Sequence, residues 1–376
     1  MEPVKILFLI HDLGQGGAEK VLVNLVNNMN KSQFDITVLS LFGGGVNEEL
    51  LNNNVKFICS FRKAIPGNSK LIKVIPPKIL HNYLVKKKYD IEVSFLQGPV
   101  SRIVSGCSHK DTKLINWVHT DFNSKKTALT GYRNLREAQA CYSKFVAHAF
   151  VSKTVMNSFL QYYPQKKQSI LRVVYNTIES DKVRSLACVD VDETISTNCL
   201  NLVSVGTLKD VKGFDRLIRV VSRLLNEQYR IHLYLLGDGP LRDYLVDVAE
   251  HLGVSDNVSF LGYQSNPYKY VSKCDLYVCS SYREGFSTSV TEALIVGTPV
   301  CTVDVSGMQE LLGFNNEYGL ITENSEEALY NGIRVLLDEP DMLEKYKKKS
   351  VLRGLDFTTK STVKSAERFL IDVLRG

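Results

Sequence analysis

Val4-Lys5-Ile6-Leu7-Phe8-Leu9-Ile10 runs through His11-Asp12-Leu13 into Gly14-Gln15-Gly16-Gly17-Ala18-Glu19. An apolar run, a glycine-rich turn and the amphipathic stretch Ala18 to Met29 read as strand, tight loop and helix, the opening unit of a parallel α/β fold. Glycines there let the backbone approach a ligand closely, and a helix N-terminus offers free amides and a positive dipole to an anion. The loop lacks the Gly-Lys-Ser/Thr ending of a Walker loop. It is no dinucleotide fingerprint either, because the next strand ends Val38-Leu39-Ser40-Leu41 with no acid for a ribose hydroxyl.

The same alternation continues outward along the chain. Further strands are expected at Phe34 to Ser40, Val55 to Ile58, Ile91 to Leu96, Lys113 to His119, Phe145 to Ser152 and Leu171 to Tyr175. A polar, strand-poor segment follows, and then a second series: Asn201 to Gly206, Ile231 to Gly237, Val258 to Gly262, Asp275 to Ser280, Pro299 to Asp304 and Gly319 to Thr322. Strands alternating with helices imply parallel sheets covered on both faces. The expected architecture is two Rossmann-like, doubly wound α/β domains facing across a cleft: 1–178, a linker 179–199, 200–355, and a terminal helix in 356–376 expected to pack back on the first domain. Ligands of such sheets sit at the carboxyl ends of the strands.

The 376 residues suffice for two cores, and 44% hydrophobic with 23% charged residues excludes disordered, fibrous and membrane-spanning classes. The net charge of +6 hides an asymmetry: residues 1–177 hold 24 basic and 11 acidic side chains, a formal +13, and the remainder is −7. No acid occurs between Glu49 and Asp90, where Lys56, Arg62, Lys63, Lys70, Lys73, Lys78, Lys86, Lys87 and Lys88 alternate with apolar residues such as Leu71, Ile75, Ile79 and Leu84. Such a stretch reads as a solvated surface or as a face for anionic lipid; with no recognisable module, nucleic acid is not expected. Eight scattered cysteines without C-x-x-C signal neither zinc nor a disulfide framework. Ile6 to Ile10 is too short for a signal peptide, so the expected location is the cytosol.

Chemistry concentrates in Arg283-Glu284-Gly285-Phe286-Ser287-Thr288-Ser289-Val290-Thr291-Glu292. Ser287 or Thr288 can cap a helix that contains Glu292, with Glu284 in the loop before it. A helical rise over eight residues would separate the carboxylates by roughly 12 Å, too far for a shared metal or for a retaining glycosidase pair, which stands about 5 Å apart. It suits two carboxylates holding the ends of an extended ligand with an anionic middle, such as a nucleotide-sugar. Otherwise Glu292 is a surface helix residue and Glu284 a capping acid.

Five segments together, Gly16-Gly17-Ala18-Glu19, Val205-Gly206-Thr207-Leu208-Lys209-Asp210-Val211-Lys212-Gly213-Phe214, Leu236-Gly237-Asp238-Gly239-Pro240, Phe260-Leu261-Gly262-Tyr263 and the E-x7-E segment, resemble the retaining GT-B-fold glycosyltransferases of family 4, many of which build capsule and surface polysaccharides. The resemblance spans essentially the whole chain. It implies that Glu284 holds hydroxyls of the donor sugar, Glu292 the ribose, and the amides of Gly285, Phe286, Ser287 and Thr288 the sugar and diphosphate. Lys212 would bind the diphosphate, Gly262 and Tyr263 the base, Gly16 and Gly17 would close over the phosphates, and His119 would face the reacting sugar.

Where the family usually has arginine this chain has Thr207, so Lys212, with Lys209, would carry the charge. The implied partners are a UDP- or GDP-sugar donor and a saccharide or lipid-linked acceptor. No cofactor is expected and no metal is required, because fixed donors and a helix dipole would stabilise the leaving group. The implied location is the inner face of the plasma membrane, with peripheral contact through Lys56 to Lys88. A catalytically silent partner of another transferase and a sugar-nucleotide epimerase are the alternatives.

Overall fold

The computed structural model describes residues 2–62, 72–191 and 195–376. Two compact units emerge, Met1–Thr177 with Lys360–Gly376, and Ile178–Thr359. The first holds a seven-stranded sheet in the order β3-β2-β1-β4-β5-β6-β7, formed by Val4–Ile10, Phe34–Phe42, Lys56–Phe61, Ile91–Ser94, Lys113–Val118, Ala147–Phe150 and Ile170–Val173. The second holds six strands in the order β10-β9-β8-β11-β12-β13, formed by Leu200–Val205 (β8), Ile231–Leu236 (β9), Val258–Gly262 (β10), Leu276–Cys279 (β11), Val300–Val303 (β12) and Leu320–Thr322 (β13). Every pairing is parallel.

Helices cover both faces of such sheets, so the central strands are buried and mostly apolar, with Glu92 and Ser94 on β4 and Asn116 on β5 among the buried polar exceptions. Ile6 to Ile10 and Leu202 to Val203 are fully buried. Each sheet reverses its order once, between β1 and β4 and between β8 and β11, which opens a crevice at the carboxyl ends of those strands. In the first unit β1 delivers the glycine loop there and His119 follows the end of β5. In the second, β8 leads to Lys212 and β11 to Glu284.

Two expectations need correction. The segment read as a polar linker, 179–199, contains the helix Ser180–Ala187, which belongs to the second unit. Val183 is buried, Ser272 Oγ donates to the Ala187 carbonyl at 3.0 Å, and Asn266 Nδ2 donates to that of Leu186 at 2.9 Å. With only Val183 and Leu186 as spaced apolar residues, its pattern is too short to announce a helix; tertiary contacts supply the stability. The acid-poor run is also less unpaired than its composition implies, since Lys56 meets Asp35 at 2.7 Å and Lys88 meets Asp111 at 2.9 Å. Part of that run, 63–71, lies outside the described residues.

The terminal helix Thr359–Arg375 joins the first unit from Lys360 onward. It buries Val363, Ala366, Phe369, Leu370 and Val373, with Phe369 edge-on to Trp117 at 6.1 Å and Asp372 paired with Arg172 at 2.6 Å.

Candidate active site

In the second unit the chain leaves β8 through the short 3₁₀ turn Asp210–Lys212 and enters the helix Phe214–Asn226 at Gly213. Gly213 has φ +60, and a Cβ there would collide with the Ser280 carbonyl, so glycine alone permits this turn to lie against the loop after β11. Two hydrogen bonds join the loops: Ser280 Oγ to the Lys212 carbonyl at 2.9 Å, and the Tyr282 amide to the Val211 carbonyl at 2.8 Å.

This contact carries Lys212 Nζ to 2.7 Å from Glu284 Oε1, which also accepts from Ser281 Oγ at 2.7 Å. The side chains are 23% and 13% exposed, shielded yet reachable by a ligand. Burial alone would push the Lys212 ammonium down, but the Glu284 carboxylate outweighs it and raises the pKa above the ordinary lysine value. Lys212 is therefore a permanent cation at physiological pH.

Ser287 caps the helix Thr288–Val296 by accepting from the Val290 amide. The helix begins at Thr288, so Glu284 stands a loop away from Glu292 rather than two turns along one helix. Glu292 is 9% exposed and accepts from Tyr268 Oη at 2.9 Å, which removes the surface-residue reading. Phe286 is buried with its ring 6.1 Å from Phe357, so its side chain is core. Thr207 is half-buried and Lys209 exposed. Gly262, at φ +66, ends β10 and accepts from the Gly237 amide at 2.8 Å, beside Tyr263, which is 55% exposed.

In the first unit Gly16 caps the helix Gly17–Asn28 without a side-chain bond. Neither Gly16 nor Gly17 has positive φ; at Gly16 the absent side chain leaves room for the Glu19 carboxylate instead. Asp12 Oδ1 accepts from the Gly14 amide at 2.8 Å, and Asn47 holds the carbonyls of Leu13 and Gly14. The His119 backbone amide donates to Gln97 Oε1 at 3.2 Å, and its ring packs on Phe95, centroids 4.6 Å apart. Its Nε2 is buried without a protein partner, and burial pushes the imidazole pKa down to about 3. The ring is neutral at physiological pH and can offer one hydrogen bond to a substrate hydroxyl.

Residues 192–352 match the family described as Glycosyl transferases group 1. The N-acetylgalactosamine-N,N'-diacetylbacillosaminyl-diphospho-undecaprenol 4-alpha-N-acetylgalactosaminyltransferase of Campylobacter jejuni is 27% identical over 98% of this chain and 99% of its own. Among solved structures, HepE of Anabaena in complex with UDP and glucose aligns with TM-score 0.76 at 19% identity, over 98% of this chain and 99% of its own. Sucrose-phosphate synthase of Thermosynechococcus elongatus aligns with TM-score 0.80 at 16% identity, over 99% of both. At these identities the likeness is one of fold, and that fold is GT-B.

Within the matched segment 192–352, the structure brings Lys212 and Glu284 together and seats Glu292 separately against Tyr268. Sequence reading missed Tyr268, Ser281 and Arg216, none of which stands in a recognisable motif. In the first unit it also missed His81, Glu92 and Cys107, whose ligand atoms lie within 4.8 Å of one another. His81 Nε2 and Glu92 Oε2 are 2.7 Å apart, both side chains buried. Three donors are one short of a closed tetrahedral site, and His81 Nδ1 lacks the hydrogen-bond acceptor that orients a metal-bound imidazole. His81 and Glu92 form a buried ion pair, with Cys107 Sγ 3.5 Å from Glu92 Oε1.

Proposed function

We propose that this protein is a retaining glycosyltransferase that moves a sugar from a UDP- or GDP-sugar to a growing, lipid-linked saccharide in surface polysaccharide biosynthesis. The observation that carries the reading is the Lys212–Glu284 contact of 2.7 Å at the crevice beside β8 and β11, within the matched segment 192–352. Lys212 neutralises the departing diphosphate, and the N-terminus of Thr288–Val296 adds its dipole. Glu284, exchanging Lys212 for the donor, accepts hydrogen bonds from sugar hydroxyls. Glu292 does the same for the ribose, with Tyr268 holding its other contact. Gly285 to Thr288 meet the diphosphate through their backbone, Thr207 and Lys209 lie along its path, and Gly262 and Tyr263 meet the base.

The bond from the anomeric carbon to the phosphate oxygen breaks as the bond to the acceptor oxygen forms on the same face, and the leaving phosphate takes the acceptor's proton. The retaining outcome rests on the family resemblance. Neutral His119 supplies one hydrogen bond to the reacting sugar without competing for that proton. Gly16 and Gly17, at the helix N-terminus of the first unit, are assigned backbone contacts with the phosphates on the strength of the family resemblance. Charge stabilisation assigned to Lys212 and the helix dipole leaves no step that calls for a metal.

A lipid-linked acceptor is supported by the printed name of the Campylobacter relative. It also gives a purpose to the surface around the helix Pro77–Leu84, where Val74, Ile79 and Tyr83 are 69%, 59% and 63% exposed among Lys73, Lys78, Lys86 and Lys87. No helix among the described residues is long and apolar enough to cross a membrane. We assign this surface to peripheral contact with anionic lipid on the cytoplasmic side.

The deciding experiment is a panel of UDP- and GDP-sugars scored by nucleoside diphosphate release, with and without a lipid-diphosphate saccharide. One donor should be turned over, and faster with acceptor. Free epimerised nucleotide-sugar would instead favour an epimerase. Binding without turnover would favour a silent partner, the reading to which Thr207 in place of arginine points.

A further inference from the structure

One buried cation in the second unit is not used by the proposed chemistry. Arg216 is 2% exposed and lies in the first turn of Phe214–Asn226, four residues after Lys212. Its Nε donates to the Ser280 carbonyl at 2.7 Å and its Nη2 to the Ser281 carbonyl at 3.0 Å. Nη1 donates to Asn324 Oδ1 at 2.9 Å, and the guanidinium lies over the Tyr282 ring, 4.2 Å from its centroid. Asn324 in turn donates from Nδ2 to the Tyr282 carbonyl at 3.3 Å.

The loop so gripped carries Ser281 and Glu284. Past the end of β11 its carbonyls have no neighbouring strand, and a buried carbonyl without a donor costs about 1–3 kcal/mol; the planar guanidinium satisfies two at once, which a lysine cannot do in the same plane. The helix bearing Arg216 begins at Phe214, separated from Lys212 by Gly213 alone. One side chain thus ties the element that positions the cation to the loop that positions the carboxylate, and the Gly213–Ser280 contact allows little slack.

We propose that Arg216 is a positioning residue for the donor site, fixing Glu284 relative to Lys212 so that sugar and diphosphate are held in register. This rests on the glycosyltransferase reading above. Arg216 touches no substrate; it acts through the 280–284 loop.

The test is a double-mutant cycle in the full-length protein. R216Q should lower donor kcat/KM by about tenfold or more while the acceptor KM stays within about twofold, because a misplaced group costs rate steeply. R216K should recover little and N324A, at an exposed position, should lose about two- to fivefold. In an E284Q background the same R216Q change should cost less than about threefold, since its target is already gone.

Equal losses with and without Glu284, or a folded R216Q with unchanged donor kcat/KM, would overturn the assignment. If R216Q does not fold, N324A and N324A/E284Q make the same comparison. A wild type that turns over no donor removes the glycosyltransferase reading, and this assignment with it; an active wild type with additive losses removes only the role of Arg216.

Discussion

Replacing Lys212 by methionine keeps the length of the side chain and deletes its charge. In the free protein the ammonium is bonded to Glu284 at 2.7 Å, with 23% and 13% of the two side chains exposed. Breaking a fully buried pair costs about 3–5 kcal/mol. Partial exposure and the surviving Ser281 hydroxyl reduce this, so K212M should lose about 1–2 kcal/mol of stability and remain folded.

The larger effect falls on the reaction. On the proposed reaction, donor binding would exchange one anion for another at Lys212, the carboxylate for a diphosphate, so K212M should change ground-state affinity only modestly. As the leaving group departs, negative charge grows there, and losing one such stabilising group costs about 3–4 kcal/mol, or 10²–10³ in kcat. Steady-state nucleoside diphosphate release and UDP titration calorimetry separate the two: kcat should fall at least about a hundredfold and UDP affinity only about tenfold. Because the pKa of Lys212 is raised by Glu284, the wild-type rate should show no lysine ionisation below pH 9. A folded K212M with kcat within threefold of wild type would refute the role assigned to this cation.

Three further outcomes are expected. His81 would be pushed down by burial, but Cys107 and Glu92 outweigh this and raise it from 6.5 to about 9; the stabilisation, about 3 kcal/mol, is complete below pH 6.5 and lost as pH rises through 9, so the Tm of wild type should fall across that window and that of H81Q should not. His119, held neutral with a pKa near 3, should contribute no ionisation to kcat between pH 5 and 8, and a limb near pH 6.5 that disappears in H119N would contradict it. On sedimentation, wild type should bind vesicles of anionic lipid and not neutral ones, and I79E/Y83E should bind about tenfold more weakly; equal partition into both vesicle types would defeat the membrane assignment.

Most strands were legible because they are short apolar runs bounded by polar turns, a composition that burial on both faces of a parallel sheet demands; the edge strand Lys56–Phe61 is largely exposed and Ile91–Ser94 buries Glu92. Strand ends were less legible: Phe145 before Ala147–Phe150 and Val151 after it are buried apolar residues that extend the pattern beyond the strand. The helix Thr288–Val296 announced itself through Ser287, a capping residue that acts locally. Ser180–Ala187 did not, because two apolar residues per helix suffice once a neighbour covers them.

Sequence alone determined which residues could bear the chemistry: the carboxylates Glu284 and Glu292, the cation Lys212, the histidine after β5 and the +13 against −7 division of charge. Only the tertiary structure decided which of them meet. Lys212 and Glu284 are 72 positions apart, and β9 and β10 lie between them in the chain. They touch because the sheet places those strands on the far side of β8, leaving β11 as its other neighbour. The same folding made Glu292 a partner of Tyr268, enclosed His81 with Glu92, and set Arg216 behind the loop of Glu284. Hydrophobic periodicity is a local property that a sequence displays; a hydrogen bond between distant loops depends on strand order and on a left-handed glycine such as Gly213, which periodicity does not encode.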